Sequence, residues 1–315
     1  MCKKRLNNGY ILFKNYKIIK LLGKGSFSFV YLVCDVYNEN KYFTVKEFFP
    51  HDFVNRGKKN KVFIKKTLTS SKINELNNLK YIFQEESKNL KKVTLIKHCG
   101  IINYISFHEN INNTSYLITN YQKTISLHQH LKQIKSPKIF LILLKNILSA
   151  IKHIHQYDIY HQDIKMDNIR IKEDFSPLII DFGSSVILCD KKSGRYLNTA
   201  SSNYSAIEQL SLNYPPEINE STDIYSTALL MYKILTGKYP PSSKEREYAI
   251  EHGLKDPYMP LYTQNLSCLN SNILTSLDKA LNLYSETRYK NIQEFQQALK
   301  KQSIWQKIYL FLKLN

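Results

Sequence analysis

The sequence predicts an α+β fold in which strands and a single helix come first and helices dominate the remainder. Three observations carry this. Apolar runs rich in β-branched and aromatic residues flank the glycine turn of "IIKLLGKGSFSFVYLVCD", so this stretch reads as two strands joined by a loop. In "YIFQEESKNLKKV", Glu86, Leu90 and Val93 recur at helical spacing. Farther along, Ile139, Leu143, Ile147, Ile151 and Ile154 repeat with the same period, which marks a long buried helix.

Taken in order, Gly23 and Gly25 permit a close approach of the backbone to a phosphate group, which a Cβ would hinder. A dinucleotide-binding fingerprint needs a helix directly after such glycines, and "FVYLVCD" is strand-like instead. The next strand, "KYFTVKEFF", ends its alternation at Lys46, which taken alone is an ordinary solvated strand-end lysine. In the helix that follows, Glu86 shares a face with inward-turned apolar residues, whereas Glu85 points about 100° away. Between them the basic stretch "NRGKKNKVFIKKTLTSSKINELNNL" reads as a solvated loop or hairpin. "TSYLITNY" is a further strand, and Ser136-Pro137 starts the long helix. His153 and His155 lie on that helix without a cysteine or acidic cluster beside them, so metal ligation is not expected of them. "STDIYSTALLMYKILTGKYPP" is an apolar helix capped by Ser221 or Thr222 and stopped by Gly237 and the prolines.

Chemistry concentrates in "IYHQDIKMDNIRIKEDFSPLIIDFGSS". Asp163 can accept a hydroxyl proton, Lys165 can neutralise charge on a transferring phosphoryl group, and Asn168 and Asp181 supply the oxygens that Mg²⁺ prefers. A loop aspartate alone is usually a turn or cap residue. The ordered set, however, resembles the catalytic and metal loops of protein kinases, H-R-D-x-K-x-x-N followed by D-F-G, with Gln162 in the arginine position.

That resemblance implies the two-lobed protein-kinase fold, with a small antiparallel β-sheet lobe carrying one helix and a larger, mostly helical lobe. It makes Asp163 and Lys165 catalytic and Asn168 and Asp181 the metal ligands, with ATP and Mg²⁺ as cofactors and Mn²⁺ as the alternative ion. Gly23, Lys24, Gly25, Ser26 and Val30 become the phosphate loop, Ser28 replacing its third glycine, and Lys46 paired with Glu86 becomes the phosphate-gripping strand lysine. Thr119 takes the gatekeeper position, and Asn120, Tyr121 and Gln122 offer backbone groups to adenine. Ala206-Ile207-Glu208 matches A-P-E with isoleucine for proline. Arg288 matches the arginine that pairs with that glutamate, and Asp223 the aspartate that braces the catalytic loop. Ser201 matches the hydroxyl that meets the catalytic Asp and Lys. Without an arginine at Gln162, activity is not expected to depend on phosphate at Ser193, Tyr196 or Thr199 unless another basic residue such as Arg195 substitutes.

The resemblance covers roughly residues 16–301 and narrows to a bacterial branch of eukaryotic-like serine/threonine kinases. "VKEFFPHDFVNRG", "YSAIEQL" and "LTGKYPPSSKER" stand where that branch reads I-K-E-Y-x-P, Y-A-P-x-E-Q and T-G-x-P-P-x-x-x-x-R. It implies an N-terminal extension over 1–15, a small lobe over 16–119 with the basic insertion near 55–75, a hinge and large lobe over 120–301, and an amphipathic segment over 302–315. Lys165 favours serine and threonine over tyrosine substrates. Aminoglycoside- or choline-type small-molecule kinases share part of the catalytic loop but lack the equivalents of Glu208, Asp223 and Arg288. A pseudokinase scaffold would have lost Lys46, Asp163 or Asp181.

At 315 residues and 43% hydrophobic content, the length suits one such catalytic domain. No apolar stretch reaches the roughly 18 residues of a membrane span, and the start carries no run long enough for a signal peptide. Cys2, Cys34, Cys99, Cys189 and Cys268 form no pair motif and suit a reducing compartment. These features point to the cytoplasm, and delivery into a host cell stays open. The net charge of +19 is spread along the chain with Asn, Ile and Tyr between the lysines, and no nucleic-acid-reading motif accompanies it. Nucleic acid is therefore not an expected partner, and the resemblance implies ATP and protein substrates instead. At the C-terminus, Ile304, Ile308 and Leu312 form a short helical stripe, expected to pack on the large lobe.

Overall fold

The computed structural model describes residues 5–131, 136–187, 205–210, 218–266 and 269–300. Ser193, Arg195, Tyr196, Thr199, Ser201 and the stripe at Ile304, Ile308 and Leu312 lie outside the described residues, as do Cys2, Cys189 and Cys268. The chain divides into two compact units, Met1–Lys97 with Ile102–Lys123, and His98–Ile101 with Thr124–Asn315. The division falls after Lys123 instead of at the expected 119. His98–Ile101 joins the second unit because the Gly100 carbonyl accepts the Ile179 N–H and Ile101 bridges Ile179.

In the first unit the strands are β1 (Ile11–Leu12), β2 (Tyr16–Lys24), β3 (Ser28–Asp35) and β4 (Tyr42–Phe48), followed by a hairpin of β5 (Val54–Arg56) and β6 (Val62–Ile64). Helix α1 (Ser70–Val93), β7 (Tyr104–Ile111) and β8 (Thr114–Asn120) complete it. An antiparallel sheet runs β1-β2-β3-β4-β8-β7. Central β3 buries both faces, Phe29, Tyr31 and Val33 on one and Leu32 and Cys34 on the other. Helix α1 buries Leu76, Leu79, Phe83, Glu86, Leu90 and Val93, steps of three and four that keep one face inward. The helix starts at Ser70, where the Thr69 side chain accepts the Lys72 N–H, so the later part of the expected basic loop is helical. Within the expected N-terminal extension, Leu6 and Leu12 are buried and β1 widens the sheet.

Glu47 follows Lys46 on β4, and strand alternation sends the two side chains to opposite faces. The Glu47 carboxylate is fully buried. It accepts hydrogen bonds from Arg56 Nη2 at 2.6 Å, Tyr116 Oη at 2.8 Å and Tyr31 Oη at 2.9 Å. Burial pushes its pKa up, and Arg56 is the main opposing influence. Both tyrosines are pushed well above their ordinary values by burial and by Glu47, so they remain donors. Arg56 lies over the Phe49 ring, and the Leu6 N–H donates to Tyr31 Oη. The basic stretch is thus bolted to the sheet from within instead of being solvated throughout.

The second unit contains β9 (Ile125–Ser126), α2 (Leu127–His130), α3 (Pro137–His155), β10 (Ile159–Tyr160), β11 (Ile169–Ile171), β12 (Pro177–Ile179) and β13 (Val186–Ile187). Helices α4 (Ile207–Leu210), α5 (Glu220–Thr236), α6 (Ser243–Glu251) and α7 (Ser271–Ala280) follow. Every residue of α5 from Ser221 to Tyr232 is buried, and the helix packs against α3 and α7. It ends at Gly237, whose φ of 78° suits a residue without Cβ. Its cap is Asn219, whose side chain accepts the Ser221 N–H at 2.8 Å, so neither Ser221 nor Thr222 serves as expected. The helix begins earlier than its composition suggests because Ser221 and Thr222 are needed inside the core.

Arg56→Met leaves the Glu47 carboxylate buried without its cation, and should lower unfolding free energy by about 3–5 kcal/mol in denaturant titration. Adding Glu47→Gln should recover part of that loss. Equal stability of wild type and Arg56→Met would show that the hairpin is not anchored through this pair.

Candidate active site

In the first unit, Gly23 and Lys24 end β2, and Gly25 and Ser26 form the turn that the Gly25 N–H closes onto the Ser28 carbonyl at 2.9 Å. A Cβ would meet nothing within 4 Å at Gly23, and at Gly25 it would meet the Ser28 Oγ at 3.4 Å and the Ser28 carbonyl oxygen at 3.9 Å, both ordinary contacts. Packing therefore does not demand glycine at either position. Val30 on β3 is the register partner of Lys46 on β4. Lys46 Nζ donates to both Glu86 oxygens, at 2.6 and 2.8 Å, with Glu86 4% exposed and Lys46 20%. Glu85 pairs instead with the exposed Lys88.

Thr119 is buried on β8. Asn120 donates its N–H to the Asn103 carbonyl at 3.0 Å, and Tyr121 donates its own to the Tyr42 carbonyl at 3.4 Å. Of the backbone groups expected to be offered to adenine at Asn120, Tyr121 and Gln122, the first two N–H groups are thus engaged within the protein.

In the second unit, Asp163 Oδ2 receives Lys165 Nζ at 2.7 Å and Asn168 Nδ2 at 2.8 Å. Asn168 Nδ2 also reaches the Asp163 carbonyl at 2.9 Å, and a 3₁₀ turn over Met166–Asn168 brings these groups together. With its amide nitrogen so occupied, Asn168 has its amide oxygen left for a cation. Asp181 Oδ1 accepts the Gly183 N–H at 3.0 Å, and buried Phe182 packs edge-on against His161. Among the described residues no group of three or more His, Cys, Asp or Glu could hold a metal ion unaided. Mg²⁺ needs only one or two protein oxygens when substrate phosphates complete its shell, and the Asn168 and Asp181 side chains each carry such an oxygen.

Asp223 on α5 is fully buried and accepts the His161 N–H at 2.8 Å and the Gln162 N–H at 2.7 Å. Gln162 has a φ of 62°, a left-handed conformation that these two bonds hold. His155 at the end of α3 lies between carboxylates: Nε2 is 2.8 Å from Asp223 Oδ2 and Nδ1 is 3.1 Å from Glu220 Oε2. Burial pulls the His155 pKa down, but the bonds and charges of Asp223 and Glu220 outweigh it and push the pKa up to about 9. Burial alone would raise Asp223; His155 reverses this and holds it below its ordinary value. For His161, in contrast, burial pulls the pKa below its ordinary value.

Glu208 on α4 receives Arg288 Nη1 at 2.7 Å, Arg288 Nη2 at 3.1 Å and Thr222 Oγ1 at 2.9 Å. Arg288 also donates to the carbonyls of Ser221, Asn282 and Leu283 and lies over the Tyr225 ring. All of its donor directions are thus used. Gln209 accepts the Ala206 N–H and donates to the Gln162 carbonyl, each at 3.0 Å. Sequence reasoning missed Glu47, Arg56, Gln209 and the role of His155. The one available signal was an acidic residue inside the apolar run "FTVKEFF".

These geometries accompany clear similarities to known proteins. A family model described as protein kinase domain matches residues 51–302, a range that begins after Lys46. Serine/threonine-protein kinase cds1 of Schizosaccharomyces pombe is 28% identical over 256 residues, covering 78% of this chain and 49% of that protein. Calcium-dependent protein kinase 4 of Plasmodium falciparum is 29% identical over 253 residues, covering 78% of this chain and 41% of that protein. The chain thus spans about half the length of these curated relatives, or less. The crystal structure of the Mycobacterium tuberculosis PknI kinase domain superposes with a TM-score of 0.64 at 18% identity, covering 95% of this chain and all of that one. That likeness is one of fold: an antiparallel sheet with a helix, then a mostly helical part.

The His155 pairing predicts a pH dependence. A histidine whose folded pKa is raised contributes fully below its unfolded value, about 6.5, and loses that contribution as pH rises through about 9. Unfolding free energy should fall across this window by on the order of 3 kcal/mol, and His155→Gln should flatten that slope. A wild-type slope that survives His155→Gln unchanged would assign the effect elsewhere.

Proposed function

We propose that this chain, which belongs to the protein kinase domain family, transfers the γ-phosphoryl group of MgATP to serine and threonine hydroxyls of protein substrates. The observation that carries this reading is the convergence of Lys165 and Asn168 on one oxygen of Asp163. It fixes the carboxylate and leaves Oδ1 to orient and accept the proton of the attacking hydroxyl. Lys165 neutralises charge gathering on the transferred group. The Asn168 amide oxygen and Asp181 would hold Mg²⁺, which when bound offsets charge on the phosphate oxygens. The Lys46–Glu86 pair grips the α- and β-phosphates, and the glycines at 23 and 25, which packing does not require, suit a backbone that must approach them.

Serine/threonine specificity rests on Lys165 and on the character of the relatives. Membership of the bacterial branch rests on the three sequence phrases around Lys46, Glu208 and Gly237. No described helix is long and apolar enough to cross a membrane, which suits our reading of a cytoplasmic enzyme. Gln209 ties the loop at Gln162 and Arg288 ties Glu208 through protein groups alone, and with the neutral side chain at Gln162 this is our reason for reading an enzyme whose activity does not hinge on loop phosphorylation.

Asp163→Ala and Asp181→Ala should each reduce turnover by orders of magnitude, with Asp163→Ala still binding ATP, and Lys46→Met should weaken nucleotide use with the fold intact. Retention of more than about a tenth of the wild-type rate in either aspartate variant would sink these assignments. Phosphatase-treated and autophosphorylated enzyme, compared on an added substrate, should differ by less than about tenfold. Ser201→Ala should lower activity in both preparations. A larger rise on autophosphorylation would give Arg195 or another cation the missing arginine's task.

A further inference from the structure

Immediately after β4, the chain turns back beneath the glycine loop. Phe49 donates its N–H to the Phe27 carbonyl at 2.8 Å, His51 its N–H to the Ser26 carbonyl at 3.5 Å, and the His51 Nε2 lies 3.0 Å from the Gly25 carbonyl. A carbonyl oxygen only accepts, so Nε2 carries the proton in this bond. The imidazole meets Phe29 edge-on at 4.7 Å and lies 5.3 Å from the Phe49 ring. Its own backbone is held as well, because Lys65 Nζ donates to the carbonyls of His51 at 3.0 Å and Asp52 at 2.9 Å. A chain of contacts therefore runs from the residue after β6 to the exposed turn at Gly25.

The peptide group is planar and trans, so the Gly25 carbonyl and the Ser26 N–H point in opposite directions. Whatever fixes the carbonyl fixes the N–H. Glycine imposes little torsional preference of its own, so a bond from outside the loop is what can select one orientation of this peptide.

We propose that His51 is a positioning residue for the nucleotide: by holding the Gly25 carbonyl through Nε2, it presets the glycine loop and the direction of the Ser26 N–H before a triphosphate binds. This rests on the kinase reading above. The role differs from that of Lys46, since His51 acts through the backbone of the loop and needs no contact with the ligand.

The test uses the full chain and three variants. His51→Phe keeps a ring against Phe29 and Phe49 but removes the donor, His51→Gln places an amide donor near Nε2, and His51→Asn stops short of Gly25. His51→Phe should raise the KM for ATP about fivefold, the worth of one neutral hydrogen bond, with kcat within about twofold. Without nucleotide it should also speed hydrogen–deuterium exchange in the 23–29 segment. His51→Gln should return both measurements toward wild type, and His51→Asn should fall with His51→Phe and serves where that variant does not fold. Wild-type KM and exchange in the donor-less variants would overturn the proposal, as would a His51→Gln variant as impaired as they are. If wild type itself neither binds ATP nor transfers phosphate, the kinase reading fails and takes the proposal with it.

Discussion

The second unit depends on one carboxylate that water does not reach. Asp223 accepts two successive backbone N–H groups of the catalytic loop and faces a histidine that a second carboxylate also holds. A buried charge of this kind is tolerated only when paired and hydrogen-bonded. Asp223 meets that condition by recruiting His155 from α3 and the loop from beyond β10 at once. Because the loop supplies part of the compensation, it cannot relax its left-handed turn at Gln162 without exposing the cost of the charge. The positions of Asp163 and its two donors follow from that turn. An interaction outside the candidate active site therefore sets the geometry of the carboxylate at its centre.

Geometry that is local along the chain was legible in the sequence. Asp163, Lys165 and Asn168 lie within six residues of one another, so their spacing alone places them in one loop. Glu86 could be chosen over Glu85 because helical periodicity is a strong physical signal, and the apolar residues around it fix the face. What was not legible depends on long reach or on competing local options. Arg56 meets Glu47 across a hairpin whose pairing no periodicity announces, and a lysine-rich stretch looks solvated whether or not one member turns inward. The cap of α5 was misread because Asn219, Ser221 and Thr222 are all able to cap, and only the core's demand for the latter two decides. His155 carries no signal of its own, since its state is set by two acids on a helix more than sixty residues later.

The substitution at Gln162 is consistent with its surroundings. Its backbone carbonyl is tied to Gln209, its N–H to Asp223, and Glu208 next to Gln209 is locked by an arginine with every donor occupied. An arginine at 162 would add a charge to this neighbourhood. A glutamine adds none, although its buried Nε2 meets no hydrogen-bond partner among the described residues.

Glu47 bears on how the first unit assembles. Its partners lie 9, 16 and 69 residues away along the chain. The two nearer ones can close early, whereas Tyr116 arrives only when β8 docks beside β4, after the whole of α1 and β7 has been laid down. Until then one oxygen of a desolvating carboxylate lacks its donor, and late contacts between distant segments are the slow ones. Loop-closure entropy therefore favours contacts with the hairpin and β3 over the contact with β8, and the acid beside the lysine strand gains its last donor only when the most distant segment has docked.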